Sequence, residues 1–456
     1  MKSIKLSLIA SAVAIVLAPL SAHAAFDDFT PLANSVAAGS LPESAPFQFA
    51  NPTWTQESIA NRNAQLAAGQ SNSGNWDMIT ANETGPDAGR YLFMPYETSA
   101  GGVQRIDLST KTTTTIVNSG TAGFVAGDAS RWTPWGSYLT AEESWNANGT
   151  STKGRLFEIT NPVNATGPSD VNFVHRSIIP RVSHEGLAFD KNNNLYFIDE
   201  LNGGGIYKYT SANPLATNGN DFFAAGQTSV LKVGDGANAN ASGSFTWASI
   251  TDLSGAALPG IPVTDGSVDG RLAQNVVPST EYQRPEDLEI KTLENGNQML
   301  FFAATTTDDV WTIDLENNNI FQFVTRDTLD EATGLAVGDS LNSPDNLAID
   351  SKGNIYIIED QGAGFADIWA ARDENNDGVA ESIGRWATLA TLGAEPTGLY
   401  FDLFDENKAY VNVQHPTSGN DQTFMITAPA AVPVPGAVWL FGTGLLGLIA
   451  RKRNKA

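Results

Sequence analysis

The chain repeats itself. HEGLAFDKNNNLYFIDE (184–200) aligns with SPDNLAIDSKGNIYIIED (343–360). RPEDLEIKTLENGNQMLFFAAT (284–305) and EPTGLYFDLFDENKAYVNVQ (395–414) follow the same plan. Each unit has a polar start, a short apolar strand, an Asn/Gly/Asp turn and a second apolar strand. Such turn residues tolerate positive φ, so each unit reads as a β-hairpin. TPWGSYLTAEE (133–143) and RYLFMPYETSAGGVQRIDL (90–108) supply two more.

The period narrows the fold. Gly136 and Gly186 stand 50 residues apart, Asp287 and Asn346 59, and Asn346 and Gly398 52. A gap of 101 separates Gly186 from Asp287, where a Gly/Asn/Ser-rich insertion spans about 211–280. Four-stranded propeller blades repeat at about 40–50 residues. The chain therefore reads as all-β, a β-propeller of about six four-stranded blades over 86–427. Residues 25–85 form an N-terminal extension that supplies closure strands or a lid. A β-sandwich explains the period less well.

Both ends read as addresses. MKSIKLSLIASAVAIVLAPLSAHA has Lys2 and Lys5, an apolar run and Ala22-His23-Ala24, the pattern of a cleavable signal peptide over 1–24. Residues 428–456 form a tail with an apolar segment, 436–450, followed by Arg451, Lys452, Arg453 and Lys455. A short span with trailing basic residues reads as a transmembrane anchor with a cytoplasmic end. VPVPGAVWLFGTGLLGLIARKRNKA closely resembles the PEP-CTERM sorting signal. The resemblance implies export through the inner membrane of a Gram-negative bacterium, transient anchoring and processing by an exosortase. It further implies release to the cell surface or an extracellular matrix, with exopolysaccharide as a partner and membrane contact only through the tail.

Charge then limits the chemistry. Fifty acidic residues against 26 basic ones leave a formal charge of −24. No basic patch is available to neutralise phosphates, so nucleic acid is excluded as a partner. There is no cysteine, hence no disulfide and no thiolate ligand, and only four histidines. In a propeller the starts of the innermost strands face one channel. Those starts carry Glu142/Glu143, His184-Glu185, Arg284-Pro285-Glu286-Asp287 and Asp345. Singly, such acids often cap turns or bind a neighbouring blade's amides. Together they repel one another unless cations lie between them. Oxygen-only ligands favour hard cations such as Ca²⁺ or Mg²⁺. Arg284 beside them suits a phosphate or carboxylate, which its planar fork can grip.

TPWGSYLTAEE resembles the T-P-W-G-T-W-L-T-C-E-E motif of the PhoX-type alkaline phosphatases. HEG, RPE, PDNL and VNVQHP follow in that family's order, so the resemblance spans about 85–417. It implies a six-bladed propeller whose channel holds calcium ions and a pair of iron (Fe³⁺) ions, hydrolysing phosphate monoesters outside the cell. It assigns Glu142, Glu185, Glu286, Asp345 and Asp360 as metal ligands and Arg284 as the catalytic, phosphate-binding arginine. Glu143, Asp287 and Glu359 are neighbours of these residues with accessory parts. Lys153 and Arg155 are the candidates for a phosphate-contacting lysine. The family's iron-ligand cysteine is Ala141 here, which offers no donor atom. The resemblance therefore implies calcium, with the iron pair short of one ligand.

The leading expectation is an exported metal-dependent phosphoester hydrolase. Two alternatives stand beside it: a calcium-binding matrix propeller that has lost its chemistry, and a calcium-dependent lactonase-like hydrolase. ARDENNDGVAES (371–382) opens like a calcium loop, but position twelve is Gly384 rather than Glu. It reads as an Asx-rich surface turn.

Overall fold

The hairpin turns are built by aspartates that bond their own loop. Asp190 Oδ1 accepts the backbone N–H of Asn192 and of Asn194, each at 2.8 Å. Its Oδ2 accepts the Tyr196 hydroxyl at 3.2 Å. Asp350 repeats the device with Lys352, Asn354 and Tyr356. Asp402 does so with Phe404, Asp405 and Tyr410. The sequence repeat is thus a repeat of turn chemistry, which sets the register of each following strand.

The computed structural model describes residues 26–143, 152–360 and 366–429. The expected signal peptide, 1–24, and transmembrane segment, 436–450, lie outside the described residues. Among the described residues, no helix is long and apolar enough to cross a membrane.

Antiparallel strands form six blades. Blade one uses Thr80–Ala81, Tyr91–Pro95, Val103–Asp107 and Thr112–Val117. Blade two uses Gly127–Trp132, Tyr138–Glu142, Leu156–Ile159 and Phe173–His175. Blade three uses Leu187–Phe189, Leu195–Ile198, Ile206–Ser211 and Gly226–Val233, with Gly243–Ser249 added outside. Blade four runs from Pro285–Thr292 to Asn319–Val324, and blade five from Pro344–Ile349 to Ser382–Leu389. Blade six takes three strands from the end of the domain, Glu395–Phe401, Lys408–Gln414 and Gln422–Thr427. Its fourth strand, Thr55–Asn61, comes from the beginning and pairs with Gln422–Thr427.

Six apolar clusters fill the seams between blades. The seam between blades one and two holds Phe93, Trp132 and Tyr138. That between two and three holds Leu139, Leu187 and Phe197. Clusters between three and four, four and five, five and six, and six and one follow in order. Six blades with six seams make a closed ring, which leaves no long free sheet edge.

Three elements differ from the sequence reading. The stretch read as an insertion supplies the fourth strand of blade three, Gly226–Val233, in GQTSVLKV. Its apolar residues, Val230, Leu231 and Val233, stand in a polar stretch, and Gly/Asn-rich flanks hide the strand. TPWG is the turn after the innermost strand of blade two, so TPWGSYLTAEE covers a turn and the second strand. The innermost strand is GDASRW, whose only large apolar residue is Trp132. Residues before 55 pack on blades five and six, where Phe26 meets Trp54, Trp386 and Phe401.

Candidate metal centre

Each innermost strand begins with a polar residue at one equivalent position. In blade order these are Asp77, Asp128, Glu185, Glu286, Asp345 and Thr397. Each second strand ends near a second position: Glu97, Glu143, Glu200, Thr305, Asp360 and His415. A backbone hydrogen bond clips the two positions together. Glu97 N–H donates to Asn75 O at 2.8 Å, Glu143 to Ala126 at 2.8 Å, Glu200 to Ser183 at 2.9 Å and Asp360 to Ser343 at 3.0 Å. In blade four Thr305 donates to Arg284 O at 3.0 Å. The clip bends the chain sharply, and Asn75, Ala126, Arg284 and Ser343 take left-handed φ of 48°, 37°, 57° and 48°. Non-glycine residues adopt that conformation only where surrounding structure enforces it.

The result is an open polar cavity of about 340 Å³ at one end of the ring. Ten carboxyl groups line it: Asp77, Glu97, Asp128, Glu143, Glu185, Glu200, Glu286, Asp345, Asp360 and Glu395. Among the described residues, Arg284 and His415 are its two cationic side chains. Oxygens of Glu185, Glu200 and Glu286 lie within 4.8 Å of one another. Asp128 is buried, and its Oδ1 has no hydrogen-bond donor. Arg284 Nε lies 2.7 Å from Glu200 Oε1 and 2.8 Å from Glu286 Oε1, with 38% of its side chain exposed.

Electrostatics make so many charges untenable by themselves. Two like unit charges 4 Å apart cost about 4 kcal/mol at an effective dielectric of 20. A few such pairs match a whole domain's stability of about 5–15 kcal/mol. Protons relieve the repulsion when cations do not. Burial, then Glu395, pushes Asp77 up to about 7 against a hydrogen bond from Thr397. Burial and neighbouring acids push Glu97 up to about 8 and Glu286 to about 7. The same causes raise Asp128, Glu143, Glu185 and Asp345 well above the carboxylate range. Asp360 rises to about 8, first through its hydrogen bond to Glu395 and then through burial. Glu395 is the exception. Burial pushes it up, but His415, Asp360 and Gln414 together bring it down to about 2. The bond to Glu395 raises His415 to about 9. An orphaned buried oxygen, oxygen-only donors and mutually repelling carboxyls fit hard divalent cations.

Of the residues singled out from the sequence, Glu143, Glu185, Arg284, Glu286, Asp345 and Asp360 meet in this cavity. Glu142 does not line it. Its carboxylate takes Arg155 Nη2 at 2.6 Å and Arg155 Nε at 2.9 Å. Strand alternation sends Glu142 into the blade and leaves its neighbour to the channel. Arg155 is spent on Glu142, Ala122 and Gly123, and Lys153 donates to Gly123 O at 2.6 Å. Asp287 does not line the cavity either; it is buried, its Oδ1 accepting Leu288 N–H at 2.7 Å and its Oδ2 accepting Leu347 N–H at 3.0 Å, tying blade four to blade five. Glu359 accepts from Asn342, Asp367 and Trp369. Ala141 is fully buried in the seam between blades two and three, away from the cavity. Asp373, Asn375 and Asp377 accept backbone N–H groups of their own turn.

Sequence reasoning missed Asp77, Glu97, Asp128, Glu200, Glu395 and His415. A signal existed. WDMI and GDAS align with HEGL and PDNL once the inner strand of blade two is phased correctly.

The family model described as alkaline phosphatase PhoX matches residues 55–417. The chain belongs to the PhoX alkaline phosphatase family. The match begins at Thr55, the first residue of the strand that closes blade six, and takes in blades one to five and all of blade six but the strand Gln422–Thr427. Residues 431–454 match the PEP-CTERM protein-sorting motif, a signal for export and exosortase processing in Gram-negative bacteria. No curated protein matches the chain. A structure from Bacteroides thetaiotaomicron, provisionally named a phosphatase, is similar at 11% identity and TM-score 0.46, covering 78% of this chain and 71% of its own. The PQQ-bound aldose sugar dehydrogenase of Streptomyces coelicolor is similar at 12% identity and TM-score 0.43, covering 84% and 99%. The calcium-binding protein regucalcin of Agrobacterium tumefaciens is similar at 12% identity and TM-score 0.40, covering 78% and 90%. PhoX proteins are metal-dependent, and the Glu185–Glu200–Glu286 cluster is of the kind that can hold an ion.

Proposed function

We propose that this protein is an exported phosphomonoester hydrolase whose acidic cavity holds divalent cations, calcium foremost. The observation that carries the reading is Arg284. A partly exposed guanidinium, in left-handed backbone, stands at the mouth of a cavity walled by carboxyl groups. An acidic cavity by itself repels a phosphoryl dianion, so the reading requires cations.

Glu185, Glu286, Asp345 and Asp360 hold the cations, joined by Glu200. When bound, the cations supply Lewis acidity and offset the negative charge of both wall and substrate. Arg284 grips the phosphoryl oxygens and steadies the charge that grows on them in the transition state. Glu200 and Glu286, beside its Nε, fix where the guanidinium points. The chain has no cysteine, and among the described residues no serine–histidine pair lines the cavity, so no side-chain nucleophile is assigned.

The lack of any cysteine favours a second reading, a calcium-binding propeller without turnover, because this chain has no thiolate to hold iron. The two readings part in one experiment. The purified mature protein is analysed for metals and assayed on p-nitrophenyl phosphate and on a lactone panel. Phosphatase activity that disappears with chelation and in Glu286→Gln supports hydrolysis. Bound calcium without turnover of any substrate supports the second reading, and lactone turnover alone overturns both.

A further inference from the structure

Arg284 has a counterpart on the cavity wall. His415 follows the second strand of blade six, as Asp360 follows that of blade five. It too takes left-handed backbone, φ 38°, so both cationic side chains of the cavity stand on strained non-glycine positions. Three bonds hold the residue in place, one from its backbone and two from its ring. The His415 N–H donates to Asp421 Oδ1 at 2.7 Å. Nδ1 donates to the Gly393 carbonyl at 2.8 Å, and Nε2 lies 3.0 Å from Glu395 Oε1. With an acceptor at each ring nitrogen, the imidazole is held doubly protonated. Its side chain stays 37% exposed at the rim.

Resting on the phosphatase reading, we propose that His415 is a second phosphoryl-gripping residue, acting with Arg284. The basic side chains nearest in sequence to blade two's acids do not serve, since Lys153 and Arg155 are bound to Gly123, Ala122 and Glu142. An incoming oxyanion shares the Nε2 proton with Glu395. Glu395 is not stranded by this, because the Gln414 amide donates to its Oε1 at 2.7 Å. The imidazolium thus serves two acceptors, a wall carboxylate and the substrate, from one fixed position. Fixed cationic donors of this kind bind an oxyanion without reorganising as charge develops on it.

The test uses the mature protein loaded with its metals. Inhibition by inorganic phosphate and the kcat and KM for p-nitrophenyl phosphate are measured for wild type, His415→Gln, His415→Lys and Lys153→Ala. His415→Gln is expected to weaken phosphate inhibition and raise KM about tenfold, the size of one charge-assisted hydrogen bond. His415→Lys is expected to recover most of that loss, and Lys153→Ala to match wild type. Metal content is expected to be equal in all four. Phosphate inhibition unchanged in His415→Gln overturns the inference, and so does a loss that tracks loss of metal. A wild-type protein that neither hydrolyses the ester nor binds phosphate overturns the phosphatase reading instead.

Discussion

Glu142 and Glu143 are neighbours in the chain with opposite surroundings: Glu142 is locked to Arg155 at 2.6 Å inside blade two, and Glu143 faces the acidic cavity. Removing Glu142 strands a guanidinium that is 14% exposed. Glu142→Ala is expected to lower unfolding free energy by about 3 kcal/mol, the usual cost of breaking a buried pair. Glu143→Gln is expected to lower cavity metal content with little loss of stability. Urea unfolding beside elemental analysis checks both. Equal metal loss in the two variants would contradict the assignment.

Arg284→Ala is expected to lower kcat by about 10²–10³, the effect of losing one fixed transition-state donor. Glu286→Gln is expected to lose activity and at least tenfold in metal affinity. Steady-state kinetics across a metal titration separates the two, since excess metal should rescue only Glu286→Gln.

Stability should depend on pH in a metal-sensitive way. Asp77 and Glu286 titrate near 7 and Glu97 and Asp360 near 8 in the folded protein. Unfolded, carboxyls release their protons near 4. Between those values the folded state holds more protons, so metal-free stability is expected to fall as pH rises from about 5 to 8. His415, raised to about 9, adds stability that is full below about 6.5 and is lost as pH climbs through 9. Glu395, lowered to about 2, adds stability lost only as pH drops below about 4. Calcium competes with the protons of the raised carboxyls, so it should raise the melting temperature more at pH 8 than at pH 5. Scanning calorimetry with and without calcium decides the point, and a calcium effect independent of pH would speak against binding at these carboxyls.

The innermost strands of blades three and four pack closely at Gly186 and Asp287. A Cβ added at Gly186 meets Leu288 N at 2.3 Å and Asp287 Oδ1 at 2.6 Å. Gly186→Ala must therefore push blades three and four apart, and a lowered melting temperature is expected. Asp287→Ala leaves the N–H groups of Leu288 and Leu347 without their acceptor, at about 1–3 kcal/mol each. A melting temperature unchanged in both variants would mean that this contact bears none of the load assigned to it.

The hairpin repeat, its Asp-built turns and the C-terminal sorting motif were legible in the chain, because they depend on residues close in sequence. DKNNNLY and DSKGNIY specify their own turns wherever they sit. The acids at HEG, RPE and PDNL were legible for the same reason, as each marks the start of a strand. The phase of blade two was not. GDASRW lacks the apolar run of its counterparts, and only its pairing with Tyr138–Glu142 identifies it as the innermost strand. That shift of phase hid Asp128. Nor could sequence decide which of two adjacent acids faces the channel, since Glu142 differs from Glu143 through Arg155, 13 residues on, and the pleat of a strand. Ring closure was equally out of reach. The pairing of Thr55–Asn61 with Gln422–Thr427 joins segments more than 350 residues apart. Local order follows from local chemistry, whereas convergence of ten carboxyl groups follows from six blades closing on one axis, which no single segment encodes.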